Sequence, residues 1–347
     1  MSDQSDSPND IILFDPYPRP VDLIFSPQDK VRLEKMGRVI WHDGDKRASD
    51  DFIDEHLPHA IALVGQSDMP KERLDRAPHL RAIFNVESNF MPNVDYDECF
   101  RRGIPVLSTA PVFAGAVAEM ALGMALSAAR GIPRGDAQMR ARTEILYDDG
   151  ANQDSFLLTG KTLGLIGCGN LGRALLPLLQ PFSRDILAHD PWIQPSILRE
   201  MGVEPCGLLE VFQRSRVVFI LVATTTENQN GLNRKFFEAM TPGSIVVLVS
   251  RAGVVNWDDL LDCAASGHIR AAIDVFPDEP IPHDARVRDT PNTILSAHRA
   301  GNVPEVWTQM GEMVADDLEW ILRGLPPQRM QRATQGLVSR LRSKPVG

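Results

Sequence analysis

Lys161-Thr162-Leu163-Gly164-Leu165-Ile166-Gly167-Cys168-Gly169-Asn170-Leu171-Gly172 is an apolar run that breaks into Gly-x-Gly-x-x-Gly and continues in a helix-like stretch from Arg173 to Gln180. The spacing has a physical reading. Gly167 permits a tight turn after a strand, Gly169 lets backbone N–H groups approach a pyrophosphate, and Gly172 lets the following helix pack close to the strand. The helix start then offers unpaired N–H donors to the anion. Eighteen residues after Gly172, Asp190 ends the next apolar run. A carboxylate there suits the two ribose hydroxyls of NAD and repels the 2′-phosphate of NADP. Pro191-Trp192 behind it supply no cation for such a phosphate.

Outward from this loop the chain alternates short apolar runs with helical stretches on both sides. Before it, Ile11–Phe14, Val39–Trp41, Ala60–Val64, Ala82–Val86 and Val106–Ser108 are candidate strands. From the loop onward, Thr162–Ile166, Asp185–Ala188, Val217–Val222, Ser244–Val249, Ala271–Asp274 and Thr293–Ser296 form a second series. Such alternation predicts α/β architecture, with parallel sheets covered by helices on both faces. A chain of 347 residues exceeds one ordinary core, so two domains are expected. The amphipathic segment from Pro304 to Leu325 follows the last strand of the second series. Residues 1–109 and 303–347 are therefore expected to form one domain, and 110–302 the other.

Composition narrows the function. The net charge of −10, without any Lys/Arg run, argues against a nucleic-acid partner. Phe113 to Arg130 is apolar or small, but it carries Glu119 and meets a charge after seventeen residues. A bilayer span needs about 20 apolar residues, so no membrane is expected and a helix buried on all sides is. Cys99, Cys168, Cys206 and Cys263 have spacings that suit neither a zinc site nor a disulfide frame. No metal is expected, and reduced thiols fit a cytoplasmic protein. Met1 to Asp10 is polar and acidic, unlike a signal peptide, and is expected to be a frayed tail.

Three polar residues end successive apolar runs of the second series. Arg251 follows Val246–Ser250, Glu279 follows Asp274–Asp278, and His298 follows Ile294–Ala297. Ligands of an open parallel sheet bind at the carboxyl ends of its strands. Reduction of a 2-oxo acid needs a fixed cation for the carboxylate, which a planar guanidinium provides. It also needs a group that passes a proton near neutral pH, which suits His298, with Glu279 to orient the ring and favour imidazolium.

Leu163–Gly172, Ser250–Asn256, Asp274–Pro280 and Ala297–Gly301, in this order and spacing, resemble the motifs of the D-isomer-specific 2-hydroxyacid dehydrogenases. Arg102–Val106, Ala116–Glu119 and Thr224–Asn233 match further stretches of that family, so the likeness runs from about Ile11 to Gly324. It implies two doubly wound parallel-sheet domains, a Rossmann NAD-binding domain and a flavodoxin-like substrate domain built from both chain ends. It implies hydride transfer between NAD and a small-molecule 2-hydroxy or 2-oxo acid. Arg251 would clamp the substrate, Glu279 and His298 would form the acid–base pair, and the assembly would be a homodimer. Cofactor contacts are implied for Gly167, Gly169, Asn170, Leu171, Asp190, Val222, Ala223, Thr224, Ser250, Arg251, Asp274 and His298. Ala252 and Ala223 depart from the family's usual glycine and proline. Asn85–Phe90 replaces its glycine-containing substrate loop, and Glu87, Ser88 and Asn89 become the substrate-binding candidates, along with Arg251 and His298. Gln66 ends the neighbouring strand and Arg299 follows His298. The polar side chains favour a small polar acid, such as glyoxylate, hydroxypyruvate or a sugar-acid derivative. Two other readings remain open: an NAD(H)-binding regulator of the co-repressor kind, and a formate- or phosphonate-type dehydrogenase on the same fold.

Overall fold

The computed structural model describes residues 10–146, 150 and 152–340. Residues 1–9 of the expected tail lie outside the described residues. The chain divides into two compact units, Met1–Phe113 with Asn302–Gly347, and Ala114–Gly301. Each carries one sheet.

The first unit contains β1 (Ile11–Asp15), β2 (Arg38–Trp41), β3 (Ala60–Gly65), β4 (Ala82–Asn85) and β5 (Val106–Ser108). The second contains β6 (Leu163–Ile166), β7 (Ile186–His189), β8 (Glu204–Pro205), β9 (Val217–Ile220), β10 (Ser244–Leu248), β11 (Ile269–Ile273) and β12 (Thr293–Leu295). A last strand, β13 (Gln331–Arg332), returns to the first unit. The orders are β13-β5-β4-β3-β1-β2 and β12-β11-β10-β9-β6-β7-β8. All pairings are parallel except β13 against β5. Both are doubly wound: the order reverses between β1 and β3 in one sheet and between β6 and β9 in the other.

Continuous apolar runs make these strands, because helices cover both faces of each sheet and leave no wet side. Val217, Val218, Phe219 and Ile220 are fully buried, as are Ile12, Leu13 and Phe14. The two-residue strands β8 and β13 had no counterpart among the sequence expectations, being too short to show any period.

The apolar segment forms a helix over Ala114–Arg130. It is not buried on all sides. Ala114, Val117, Ala118, Ala121, Met124, Ala125, Ala128 and Ala129 form a buried face at helical spacing, while Gly115, Glu119, Gly123 and Arg130 are exposed. With its preceding turn it is long and apolar enough to cross a membrane by length and composition alone, and half of that stretch is buried. The next helix, Ile132–Ala141, buries no residue, and Ile132, Met139, Ile145, Leu146 and Leu157 are large apolar side chains left exposed.

Candidate active site

The glycine turn is built by close approach. Gly167 follows β6 at φ +94°, and its N–H donates to the His189 carbonyl at 2.9 Å. A Cβ at Gly172 would lie 2.7 Å from the Gly167 carbonyl oxygen, and one at Gly167 would lie 2.6 Å from Val222. Over Gly169 there is open space. Gly169 caps the helix Asn170–Leu179, so the donors of Asn170 and Leu171 stand at a helix start ten residues long.

Asp190 follows β7. Its Oδ2 accepts from the Cys168 N–H at 2.8 Å and its Oδ1 from the Trp192 N–H at 2.9 Å. The two bonds fix the carboxylate beside the glycine turn, and each oxygen keeps a lone pair for a ribose hydroxyl. An open depression of ≈ 250 Å³ lies here, lined by Ala188, His189, Asp190, Ile193, Leu198, Arg199 and Cys206 among others. Arg199 brings to this depression the cation that Pro191-Trp192 lack, from a helix later in the chain. Burial pushes the Cys168 thiol up to about 12, with the nearby Asp190 charge adding to it, so this cysteine fills space and is no nucleophile.

Past β9, Val222 packs on Gly167, and the Ala223 carbonyl accepts from Asn228 Nδ2 at 2.8 Å. Thr224 stands against Gly253, where a Cβ would come within 3.0 Å of its hydroxyl. Past β10, the Ser250 hydroxyl is buried and has no partner among the described residues. Arg251 Nη1 donates to the Ser250 carbonyl at 2.7 Å, which draws the guanidinium back over the strand end. An unmet buried hydroxyl costs about 1–3 kcal/mol, so its presence here suits a site that takes a polar group.

The centre of the site is a pair. His298 Nδ1 lies 2.6 Å from Glu279 Oε2, and Glu279 Oε1 accepts from the Phe276 N–H at 3.0 Å. The carboxylate is thus held by backbone and in turn holds the ring, leaving Nε2 as the other ring nitrogen for proton exchange. His298 adopts φ +50°, a left-handed conformation that side chains rarely take. Asp274, fully buried at the end of β11, sustains it. Its Oδ1 accepts from the Arg299 N–H at 3.0 Å and its Oδ2 from the Ala300 N–H at 3.1 Å, while its carbonyl accepts from the His298 N–H at 2.7 Å. Each oxygen of Asp274, a residue expected at the cofactor, thus accepts one N–H from the loop that carries the histidine. Arg299 itself is exposed.

Glu87, Ser88 and Asn89 lie in the first unit, in the loop after β4. Asn85 shapes this loop by donating to the Asn89 carbonyl at 2.6 Å and accepting from the Glu87 N–H at 2.9 Å. Glu87 Oε1 accepts from Arg19 Nη2 at 2.7 Å, and the Arg19 guanidinium stacks on Trp307 at 4.3 Å. Arg19 is absent from the sequence-derived candidates, because no local pattern links it to Glu87. Among the described residues, no group of His, Cys, Asp and Glu is disposed to hold a metal.

The family model for the NAD-binding domain of D-isomer-specific 2-hydroxyacid dehydrogenases matches residues 122–300. The D-3-phosphoglycerate dehydrogenase of Mycobacterium tuberculosis is 29% identical over 305 residues, which cover 86% of this chain and 56% of that protein. The chain thus spans about half the length of that relative. The glyoxylate reductase of Pyrococcus furiosus is 31% identical over 313 residues, 87% of this chain and 91% of that one. The crystal structure of a phosphoglycerate oxidoreductase from Rhizobium etli superposes with a TM-score of 0.85 at 38% identity, covering 95% of this chain and 100% of that one. NAD is the cofactor of the matched domain, and the glycine turn, the fixed Asp190 and the unmet Ser250 hydroxyl fit it. The chain belongs to the D-isomer-specific 2-hydroxyacid dehydrogenases.

Proposed function

We propose that the protein interconverts a small 2-hydroxy acid and its 2-oxo acid, with NAD as the redox partner. The observation that carries this is the His298–Glu279 pair, 2.6 Å apart at the strand ends next to the glycine-turn fold. When bound, the cofactor supplies the hydride at C2 in the reducing direction. The chain's residues do the rest. Arg251 grips the carboxylate with its planar fork and orients the carbonyl. His298 delivers the proton from Nε2 to the carbonyl oxygen, while Glu279 holds the ring through Nδ1. Gly167, Gly169, Asn170 and Leu171 take the pyrophosphate; Asp190 takes the ribose; Val222, Ala223, Thr224 and Ser250 line the nicotinamide side. Glu87, Ser88 and Asn89 are assigned to the substrate. The unit Ala114–Gly301 is read as the cofactor domain and the other as the substrate domain.

The fixed Asp190 supports NAD over NADP. The exposed apolar side chains from Ile132 to Leu157 support a homodimer, which light scattering tests: the account expects twice the 38.4 kDa chain mass. Four free thiols support a reducing, cytoplasmic setting. The decisive assay follows NADH oxidation with a panel of 2-oxo acids. Turnover with formation of the 2-hydroxy acid is expected. Saturable NADH binding without turnover on any of them would instead favour a nucleotide-binding regulator.

A further inference from the structure

Glu279 stands in a stretch with little of its own to hold it. Pro277, Asp278, Pro280, Pro282, His283 and Asp284 are exposed, and only Ile281 between them is half-buried. The three prolines have no N–H with which to tie the chain down. On the side toward β11, the Phe276 N–H fixes the Glu279 carboxylate at 3.0 Å. On the far side the tie comes from Arg288. Its Nε donates to the Pro282 carbonyl at 2.8 Å and its Nη2 to the Ile281 carbonyl at 2.9 Å. A planar guanidinium set on two successive carbonyls fixes both the place and the direction of the backbone, which a single donor would not.

Arg288 can act as a brace because its own turn is anchored. It belongs to the short helical turn Arg286–Asp289, whose Val287 is 2% exposed and sits in the apolar core of the second unit. Ile281 and Ala285 pack on the edge of the same core. Arg286 pairs with Asp262 on the helix Trp257–Ala265. Thr290 Oγ1 donates to the Arg286 carbonyl at 2.9 Å, and Thr293 Oγ1 to the Thr290 carbonyl at 2.8 Å. Thr293 begins β12, the strand that leads to His298. Both members of the acid–base pair therefore hang from one turn, Glu279 through Arg288 and His298 through β12.

We propose that Arg288 is a positioning residue for the proton transfer: by gripping the Ile281 and Pro282 carbonyls it fixes the backbone beyond Glu279, and with it the carboxylate that holds His298. The inference rests on the dehydrogenase reading and adds a residue to its site. The pair it sets is only 2.6 Å apart, and a misplacement of about 1 Å at a catalytic group can cost about 10²-fold in rate.

The test is a double-mutant cycle in the full chain, with NADH and the two 2-oxo acids that wild type turns over fastest. Arg288→Met keeps the apolar stem and removes the donors. Its kcat should fall roughly 10- to 30-fold, alike on both acids, while KM and the Kd for NADH stay within about threefold. In a Glu279→Ala background the same substitution should cost less than about twofold, because the group it positions is gone. A merely structural role would cost the same in both backgrounds. Thermal melting checks that each variant is folded, and Arg288→Lys, which still reaches one carbonyl, gives a milder second variant for the same cycle. An Arg288→Met kcat within about twofold of wild type, or an equal fold-loss with and without Glu279, would overturn the proposal and leave the dehydrogenase reading intact. A wild type that turns over no 2-oxo acid would overturn both.

Discussion

The two sheets end in polar clusters of opposite construction. In the second unit the side chains of the candidate active site are braced by nearby backbone: Phe276 N–H on Glu279, Arg299 and Ala300 N–H on Asp274, the Ser250 carbonyl on Arg251. In the first unit the groups meet across long separations, Arg19 with Glu87 and Asp15 with Ser67, and Gln66 is left with its amide unmet. Under the proposed function the difference is a division of labour. Chemistry common to every 2-oxo acid needs a fixed geometry, and backbone donors provide it without rotamer freedom. Selection among acids needs only groups that match one tail and penalise another, and side chains from separate loops can be varied for that.

The comparison can be broken most sharply at Arg251. Arg251→Ala removes both a charge-assisted grip and the orientation of the carbonyl, so kcat/KM should fall roughly 10³-fold, with kcat and KM both affected. A change confined to KM would mean that the guanidinium binds without orienting.

Asp274 sharpens it further. If its carboxylate acts by holding the Arg299 and Ala300 amides, Asp274→Ala should release the strained His298 backbone and lower kcat by roughly 10- to 100-fold. The Kd for NADH, from fluorescence titration, should change less than threefold. A large loss of NADH affinity with kcat preserved would assign Asp274 to cofactor binding and remove the brace from the account.

A smaller effect is expected at the ribose. Wild type should favour NADH over NADPH, and Asp190→Ala should narrow that ratio by about tenfold, since the carboxylate both accepts hydroxyls and repels phosphate. Because Arg199 lines the same depression, Asp190→Ala with Arg199→Ala should gain less NADPH activity than Asp190→Ala alone. Equal ratios in wild type and Asp190→Ala would show that the ribose is read by something else.

Legibility in the sequence followed the same division. Arg251, Glu279 and His298 each close an apolar run, and the glycine turn has fixed spacing, so the cofactor side and the catalytic candidates could be named from local pattern. Arg19 and Glu87 are 68 residues apart and Ser67 and Asp15 are 52 apart, with nothing periodic between them. The apolar helix was expected to be buried all round, because alanine and glycine occupy both of its faces and erase the contrast that marks an amphipathic helix. Arg199 was out of view for a related reason. It reaches the Asp190 depression from the next helix, not from the residues adjoining the carboxylate.

The central claim is that His298, held by Glu279, moves the proton while the cofactor site stands independently of it. The most direct test is His298→Ala, with turnover on a 2-oxo acid and NADH affinity measured on the same preparation. The account predicts that kcat falls by roughly 10²–10⁴-fold while NADH still titrates to saturation with a Kd near that of wild type. A variant that keeps wild-type turnover, or one that loses NADH binding along with it, would contradict the claim.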